Sequence, residues 1–285
     1  MKTPIVEIDN VTYYYSASKT PAIQNINLKI FEGEFVLITG PSGCGKSTLC
    51  RLMNGLIPHF FSGKLYGKVL IKGLDTRKTP THVLAKYVGM VFQNPENQLF
   101  LSSVEREIAF GLENLGLPKL EIKRRVNEIL ELFDLEDIKD KAPYELSGGQ
   151  QQKVALAAIL AMKPEILVLD EPTSNLDPKS AEEILNMIHK LNKEFNLTIV
   201  LVEHRLDMVS QYVDRIIIMN KGKILIQGSP RDVLIKEGID EIGIAIPKVI
   251  SVYKGLKRRG FSLENIPLSP EELALEIQII LKNSK

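Results

Sequence analysis

The stretch Gly40-Pro41-Ser42-Gly43-Cys44-Gly45-Lys46-Ser47-Thr48 constrains this chain more than any other. It has the spacing G-x-x-x-x-G-K-[ST] and stands between an apolar run, Phe35-Val36-Leu37-Ile38, and a helical pattern from Thr48 to Leu56. Strand, glycine-rich turn and helix in that order make a cradle for phosphate. The glycines let backbone N–H groups converge on phosphate oxygens with no Cβ in the way. The helix N-terminus adds partial positive charge. In such a loop Lys46 is the candidate contact for β- and γ-phosphates, and Ser47 the candidate ligand for Mg²⁺. Cys44 reads as a small loop residue rather than a reactive thiol.

A second chemical signal lies downstream. Ile166-Leu167-Val168-Leu169 is an apolar strand that runs into Asp170-Glu171. Successive strand side chains point to opposite sides, so the two carboxylates are expected to do different work. Beside a phosphate cradle, Asp170 fits the Mg²⁺ shell and Glu171 fits a general base that polarises the attacking water.

The rest of the chain frames these signals. Strands are expected over Ile5 to Tyr15, Val69 to Ile71, Tyr87 to Phe92, Thr198 to Val202 and Ile216 to Met219. Lys223 to Gln227 follows as the second arm of a hairpin turning at Lys221-Gly222. Fully apolar strands belong at the centre of a sheet covered on both faces, so the core is α/β. From about 94 to 160 strands give way to helix signals. Ser102-Ser103-Val104-Glu105 has capping-box spacing, and a helix is expected over Glu121 to Phe133. This reads as a helical subdomain inserted in a domain spanning 4–235. After Ser229-Pro230-Arg231-Asp232, which opens a helix, residues 236–285 read as a small helical extension. Its apolar faces are expected to hold Val249, Val252, Tyr253 and Leu256, then Leu273, Ile277, Ile280 and Leu281.

Composition removes whole classes of function. The net charge is +1, so no bulk attraction to nucleic acid is expected, and Lys123-Arg124-Arg125 and Lys257-Arg258-Arg259 read as solvated helix faces. Two cysteines, Cys44 and Cys50, make no disulfide framework and fit a reducing compartment. Glu7 and Asp9 spoil the first ten residues as a secretory signal, and the longest apolar stretch, Val154 to Met162, is too short to span a bilayer.

Leu146-Ser147-Gly148-Gly149-Gln150 and its continuation, Gln151 to Ala157, resemble the signature of the ABC ATPases. The resemblance covers about residues 4 to 230 and implies a P-loop NTPase core with an antiparallel β subdomain and an inserted helical subdomain. It implies ATP and Mg²⁺ as ligands. Ser147, Gly148, Gly149 and Gln150 would then form a second anion site for the γ-phosphate held by a partner subunit, in a head-to-tail dimer of identical or related ATPases. The other motifs stand in family order. Tyr15 resembles the adenine-stacking aromatic, with Tyr13 on the same face of the strand as an alternative and core packing as another. Gln93 resembles the glutamine that touches Mg²⁺ and water, Ser174 to Asp177 the loop facing the partner, and His204 the histidine at the γ-phosphate. Asp177 also precedes Pro178 and fits a helix cap.

Phe92 to Phe100, Glu203-His204-Arg205-Leu206-Asp207 and the helical tail are similar to the energy-coupling-factor (ECF) group. That likeness implies a peripheral ATPase at the cytoplasmic face of the cell membrane. Its partners would be an integral-membrane coupling subunit and a substrate-binding membrane subunit, its cargo a vitamin or a transition-metal ion, and its tail a pairing element. The alternative is a non-transport ABC ATPase working on ribosomes or DNA; a nucleotide sensor without turnover would be expected to lack Glu171 or His204, and both are present.

Overall fold

The central strands are apolar at every position because both of their faces are covered. In a computed structural model, which describes residues 3–261 and 263–283, Val36 and Ile38 face one hydrophobic cluster while Phe35 and Leu37 face another. These residues belong to β3 (Phe35–Thr39). With β6 (Val88–Val91), β7 (Ile166–Asp170), β8 (Thr198–Val202), β9 (Arg215–Asn220) and β10 (Lys223–Gly228) it forms a sheet ordered β10-β9-β3-β8-β7-β6. β9, β3, β8, β7 and β6 run parallel, and β10 is an antiparallel edge. Lys221 and Gly222 both take positive φ in the β9–β10 turn, as a tight hairpin requires.

A second sheet covers one face. It is built from β1 (Pro4–Tyr15), β2 (Ile23–Phe31), β4 (Gly63–Ile71) and β5 (Leu74–Asp75), all antiparallel, in the order β2-β1-β4-β5. Between the sheets lies α1 (Lys46–Met53), whose Leu49, Cys50, Leu52 and Met53 share a core with Val168 of β7 and Ile8 of β1. β2 was not foreseen, although Ile26, Leu28 and Ile30 alternate inward with exposed Asn25, Asn27 and Lys29. The helix after the cradle starts earlier and stops sooner than expected, at Met53, because Gly55 takes φ 78° and ends the turn. Two single-turn helices follow it, α2 (Leu56–His59) and α3 (Thr81–Leu84).

The other sheet face carries the helices. α4 (Val104–Asn114), α5 (Lys119–Leu132) and α6 (Gly148–Ala161) bury Ile108, Leu130 and Leu156 in the same cluster as Leu167 and Leu169 of β7. Ser103, one residue after the first serine of the expected box, caps α4. Lys123-Arg124-Arg125 lies on α5, and Arg124 and Arg125 pair with Glu121, as a solvated face does. α7 (Pro178–Phe195) adds Ala181, Ile184, Leu185 and Ile188, one apolar stripe at helical spacing.

Beyond β8 come α8 (Leu206–Val209), α9 (Pro230–Leu234), α10 (Lys248–Arg258) and α11 (Pro270–Asn283). The tail faces follow expectation in part: Val249, Tyr253 and Leu256, then Leu273, Ile277 and Ile280, are half-buried or buried, whereas Val252 and Leu281 are not. Ile250 and Tyr253 are the buried pair of α10, while Val252 is exposed. On α11 Leu281 points outward, and the buried position is Glu276, whose carboxylate accepts the backbone N–H groups of Glu264 and Asn265. A half-polar pattern set by one short helix cannot be read without knowing which loop it covers. Ser262, Ser284 and Lys285 lie outside the described residues. Among the described residues no helix is long and apolar enough to cross a membrane.

Candidate functional site

β3 delivers the glycine-rich loop at its C-terminal end, and α1 leads away from it. Gly40, Gly43 and Gly45 all take positive φ, at 149°, 74° and 106°. Gly45 is the N-cap of α1 and has no side chain to occupy the first N–H groups. Lys46 is only 4% exposed, and its Nζ donates to the carbonyls of Gly40 at 3.0 Å and Pro41 at 3.2 Å. The ammonium is thus folded back beneath the loop, aimed where phosphate oxygens are expected. The hairpin turn props the loop from behind: Gly222 N–H donates to the Cys44 carbonyl at 3.0 Å. Cys44 is buried, and burial raises its thiol pKa, which fits the packed-residue reading. Pro41 is half-buried, and Ser42 and Gly43 are exposed at the mouth. Thr48 turns away, its hydroxyl 3.1 Å from that of Tyr15.

Asp170 ends β7 on the face that carries α1, and Ser47 Oγ donates to its Oδ1 at 3.2 Å. The carboxylate is 7% exposed, and burial is the main cause of its raised pKa, with the Ser47 bond opposing and the Glu171 charge adding to the rise. A desolvated carboxylate beside a hydroxyl is an all-oxygen donor pair suited to a hard divalent cation. Among the described residues no three or more His, Cys, Asp or Glu side chains converge as a metal cage.

The raised pKa fixes the sign of a prediction. The folded state favours the protonated acid, so Asp170 costs stability at neutral pH, and the cost fades as pH falls through the raised pKa. Asp170→Asn is expected to leave the nucleotide-free protein at least as stable as wild type at pH 7, and to remove the extra thermal stabilisation that Mg²⁺ adds to bound nucleotide. Differential scanning fluorimetry reads both. A nucleotide-free variant several degrees less stable would contradict the electrostatic account.

Glu171 does not continue the strand, as alternation assumed. It takes the left-handed conformation at φ 54°, with its N–H bonded to the Val202 carbonyl at 3.0 Å. The turn, not the pleat, separates it from Asp170. Its carboxylate is the meeting point of the site. Gln93, just past β6, donates Nε2 to Oε2 at 2.9 Å. His204, just past β8, places Nε2 3.0 Å from Oε1, and Lys46 Nζ lies 3.9 Å from the same oxygen. Three strand ends and the loop after β3 therefore aim side chains at one point.

The two tyrosines have different surroundings. Tyr13 is fully buried, with its hydroxyl donating to the carbonyls of Phe61 and Ser62, so it belongs to the core. Tyr15 stands beside α1, where Arg51 NH1 donates to its hydroxyl at 3.0 Å and the guanidinium lies 4.5 Å over the Phe61 ring. Arg51 and Phe61 carry no motif, and only the folded neighbourhood singles them out.

Ser147 caps α6. Its hydroxyl accepts Gln150 N–H at 3.3 Å, and Gln150 Oε1 accepts Ser147 N–H at 3.0 Å, a complete capping box. Gln150 therefore builds the helix start, while Ser147 and Gly148 are exposed at it. A Cβ on Gly149 would approach the Ser180 hydroxyl at 3.1 Å, so the glycine permits close packing on α7. Asp177 caps α7, accepting Lys179 and Ser180 N–H groups, and these bonds lower its pKa, the Ser180 hydroxyl most of all. Asn175 donates to Asn94 Oδ1 at 2.7 Å, a link between two loops that the motifs treat separately. No hydrogen bond joins the Ser147 end of α6 to the cradle among the described residues.

The family model described as "ABC transporter" matches residues 23–174, which takes in the cradle, Gln93, Ser147 and both carboxylates. The chain belongs to the ABC transporter family. It is accordingly a nucleotide-binding ATPase of that type. An "Energy-coupling factor transporter ATP-binding protein EcfA2" from Clostridium tetani is 40% identical over 98% of this chain and 98% of its own length. A solved structure of cbiO1 from Clostridium perfringens, titled as part of the ABC transporter complex cbiONQ, has TM-score 0.74 at 35% identity, covering 90% of this chain and 97% of its own. The ATP-binding cassette MJ0796, solved as a dimer in a post-hydrolysis state with ADP and Pi, has TM-score 0.69 at 34% identity, covering 79% of this chain and 99% of its own. Some curated relatives are longer, and the chain spans 41–46% of their length. The likeness to ECF ATPases read from Phe92 to Phe100, Glu203 to Asp207 and the helical tail agrees with these relatives.

Proposed function

We propose that this ABC ATPase energises membrane uptake of a vitamin or a transition-metal ion as part of an ECF-type importer. The observation that carries the enzymatic half is the convergence of Lys46, Gln93 and His204 on Glu171. ATP phosphates lie in the Gly40–Thr48 cradle against Lys46. Ser47, Asp170 and Gln93 would hold Mg²⁺, which when bound neutralises charge on the phosphates. Glu171 takes the proton of the attacking water. A carboxylate offers about four lone-pair sites, so the bonds from Gln93 and His204 leave room for that water. Gln93 and His204 hold the carboxylate and report on the γ-phosphate. Tyr15 stacks on the base.

The site is completed by a second subunit. Ser147, Gly148 and Gly149 open a helix N-terminus towards solvent, and Asp177 stands at the neighbouring loop, so a partner's phosphate is the natural occupant. The dimeric MJ0796 cassette with ADP and Pi supports this. We take residues 236–285 as the pairing extension, with exposed Val252, Leu275 and Leu281 as its apolar contacts. The membrane coupling subunit and the substrate-binding subunit are partners by the same reading, at the cytoplasmic face of the cell membrane. The importer rather than the ribosomal or DNA-acting alternative is favoured by the full-length EcfA2 and cbiO1 relatives.

A mixing experiment tests the shared site. Lys46→Ala and Ser147→Arg chains are each expected to be inactive. Mixed, half of the dimers carry one intact cradle opposite one intact signature, so about a quarter of the wild-type rate should return. A mixture as dead as its components, despite forming mixed dimers, would place the whole site within one chain.

A further inference from the structure

We propose that Glu203 is a positioning residue, whose buried carboxylate holds the turn bearing His204 against the turn bearing Glu171. The inference rests on the reading of Glu171 and His204 as the hydrolytic pair. Glu203 directly follows β8 and is 2% exposed. Its Oε1 accepts the backbone N–H groups of His204 at 2.8 Å and Arg205 at 3.2 Å. Its Oε2 accepts the hydroxyl of Thr173, fully buried and two residues beyond Glu171. One side chain thus bridges the turns leaving β7 and β8.

Burying a carboxylate is costly unless its charge is met. Among the described residues no Lys or Arg forms an ion pair with Glu203. Its charge is met by three N–H and O–H donors, the stronger kind of hydrogen bond. Packing alone is served by apolar side chains, as the preceding Val200, Leu201 and Val202 illustrate. A carboxylate is the group that accepts from both turns at once.

His204 needs such a hold. Its side chain is 45% exposed, so little packing fixes the ring that meets Glu171 at 3.0 Å. The backbone of its turn is tied by Glu203 on one side and by Arg205 donating to the Leu176 carbonyl at 3.4 Å on the other. Misplacing a group by about 1 Å can cost on the order of 10²-fold in rate. Glu203 therefore governs turnover through the placement of His204 against Glu171.

The test uses the full chain, comparing steady-state ATP hydrolysis with ADP affinity by calorimetry. Glu203→Ala and Thr173→Val are each expected to lower kcat by about tenfold or more, with ADP affinity within about twofold of wild type. Glu203→Gln keeps an oxygen for the two N–H groups and offers Thr173 a donor, so it should restore most of the rate. In a His204→Ala background, Glu203→Ala should add less than about a twofold loss. A full-rate Glu203→Ala, a Gln variant as slow as the Ala variant, or equal losses in both backgrounds overturns the proposal. If Glu203→Ala fails to fold, Thr173→Val and Glu203→Gln decide. A His204→Ala chain at full rate would instead sink the hydrolytic reading itself, a result separable from the others.

Discussion

Glu171→Gln is expected to bind ATP with near-native affinity and hydrolyse it at least about 100-fold more slowly, the usual worth of a placed general base. The amide keeps the shape of the side chain, and Gln93 and His204 can still bond to it. It loses the one property the reaction needs, a lone pair basic enough to take a proton. Since nucleotide then persists in the cradle, the variant should accumulate as an ATP-bound dimer. Rapid-quench hydrolysis and light-scattering mass measurements read the two effects. Near-normal turnover would remove Glu171 from the role of base, and a slow but strictly monomeric chain would remove the dimer.

The second large effect is structural. Gly40→Ala is expected to cost several kcal/mol and to abolish nucleotide binding. A Cβ there would lie 2.1 Å from the carbonyl oxygen of Met219 and 2.9 Å from the Cys44 sulfur. The carbonyl belongs to β9, which is paired with β3 on one side and β10 on the other, so it cannot swing aside cheaply. The contact and the φ of 149° add. Gly43→Ala is the control. Its Cβ meets nothing within 4 Å, and only the φ of 74° counts against it. That conformation alone costs about 1–2 kcal/mol. Chemical denaturation should separate the pair by well over 1 kcal/mol. Equal costs would mean that backbone conformation, not the approach of β9, sets the need for glycine at residue 40.

The two predictions probe different origins of the site. Glu171 was legible because an apolar strand ending in Asp-Glu beside a phosphate loop has few other uses. Its geometry was not. Alternation placed Asp170 and Glu171 on opposite sides of a strand, whereas the strand stops at Asp170 and Glu171 sits in a left-handed turn. The sequence carries no glycine or asparagine there to announce that turn. The turn occurs with the Glu171 N–H still bonded to Val202 on the neighbouring strand.

Tyr13 and Tyr15 make the same point. Alternation put them on one face, and it could not choose between them. They part in the fold because Phe61 and Ser62, almost fifty residues on, close over the Tyr13 hydroxyl and draw that ring into the core. Gln150 is subtler. Its place in the signature implied a nucleotide contact, yet its side chain completes a capping box with Ser147. That S-x-x-Q spacing was readable, as was the alternation in β2.

What the chain determined by itself were the pieces whose chemistry is local: a loop of glycines with the spacing of a phosphate cradle, an apolar strand with terminal carboxylates, caps at Ser229 and Asp177, and a hairpin at Lys221-Gly222. Their composition and spacing carry the information because neighbours along the backbone make the contacts. Tertiary structure alone decided which side chains meet. The parallel order β3-β8-β7-β6 brings the ends of strands more than a hundred residues apart to one rim, and there Lys46, Gln93, Glu171, Glu203 and His204 become a single site. Register between strands, not pattern along them, sets those distances.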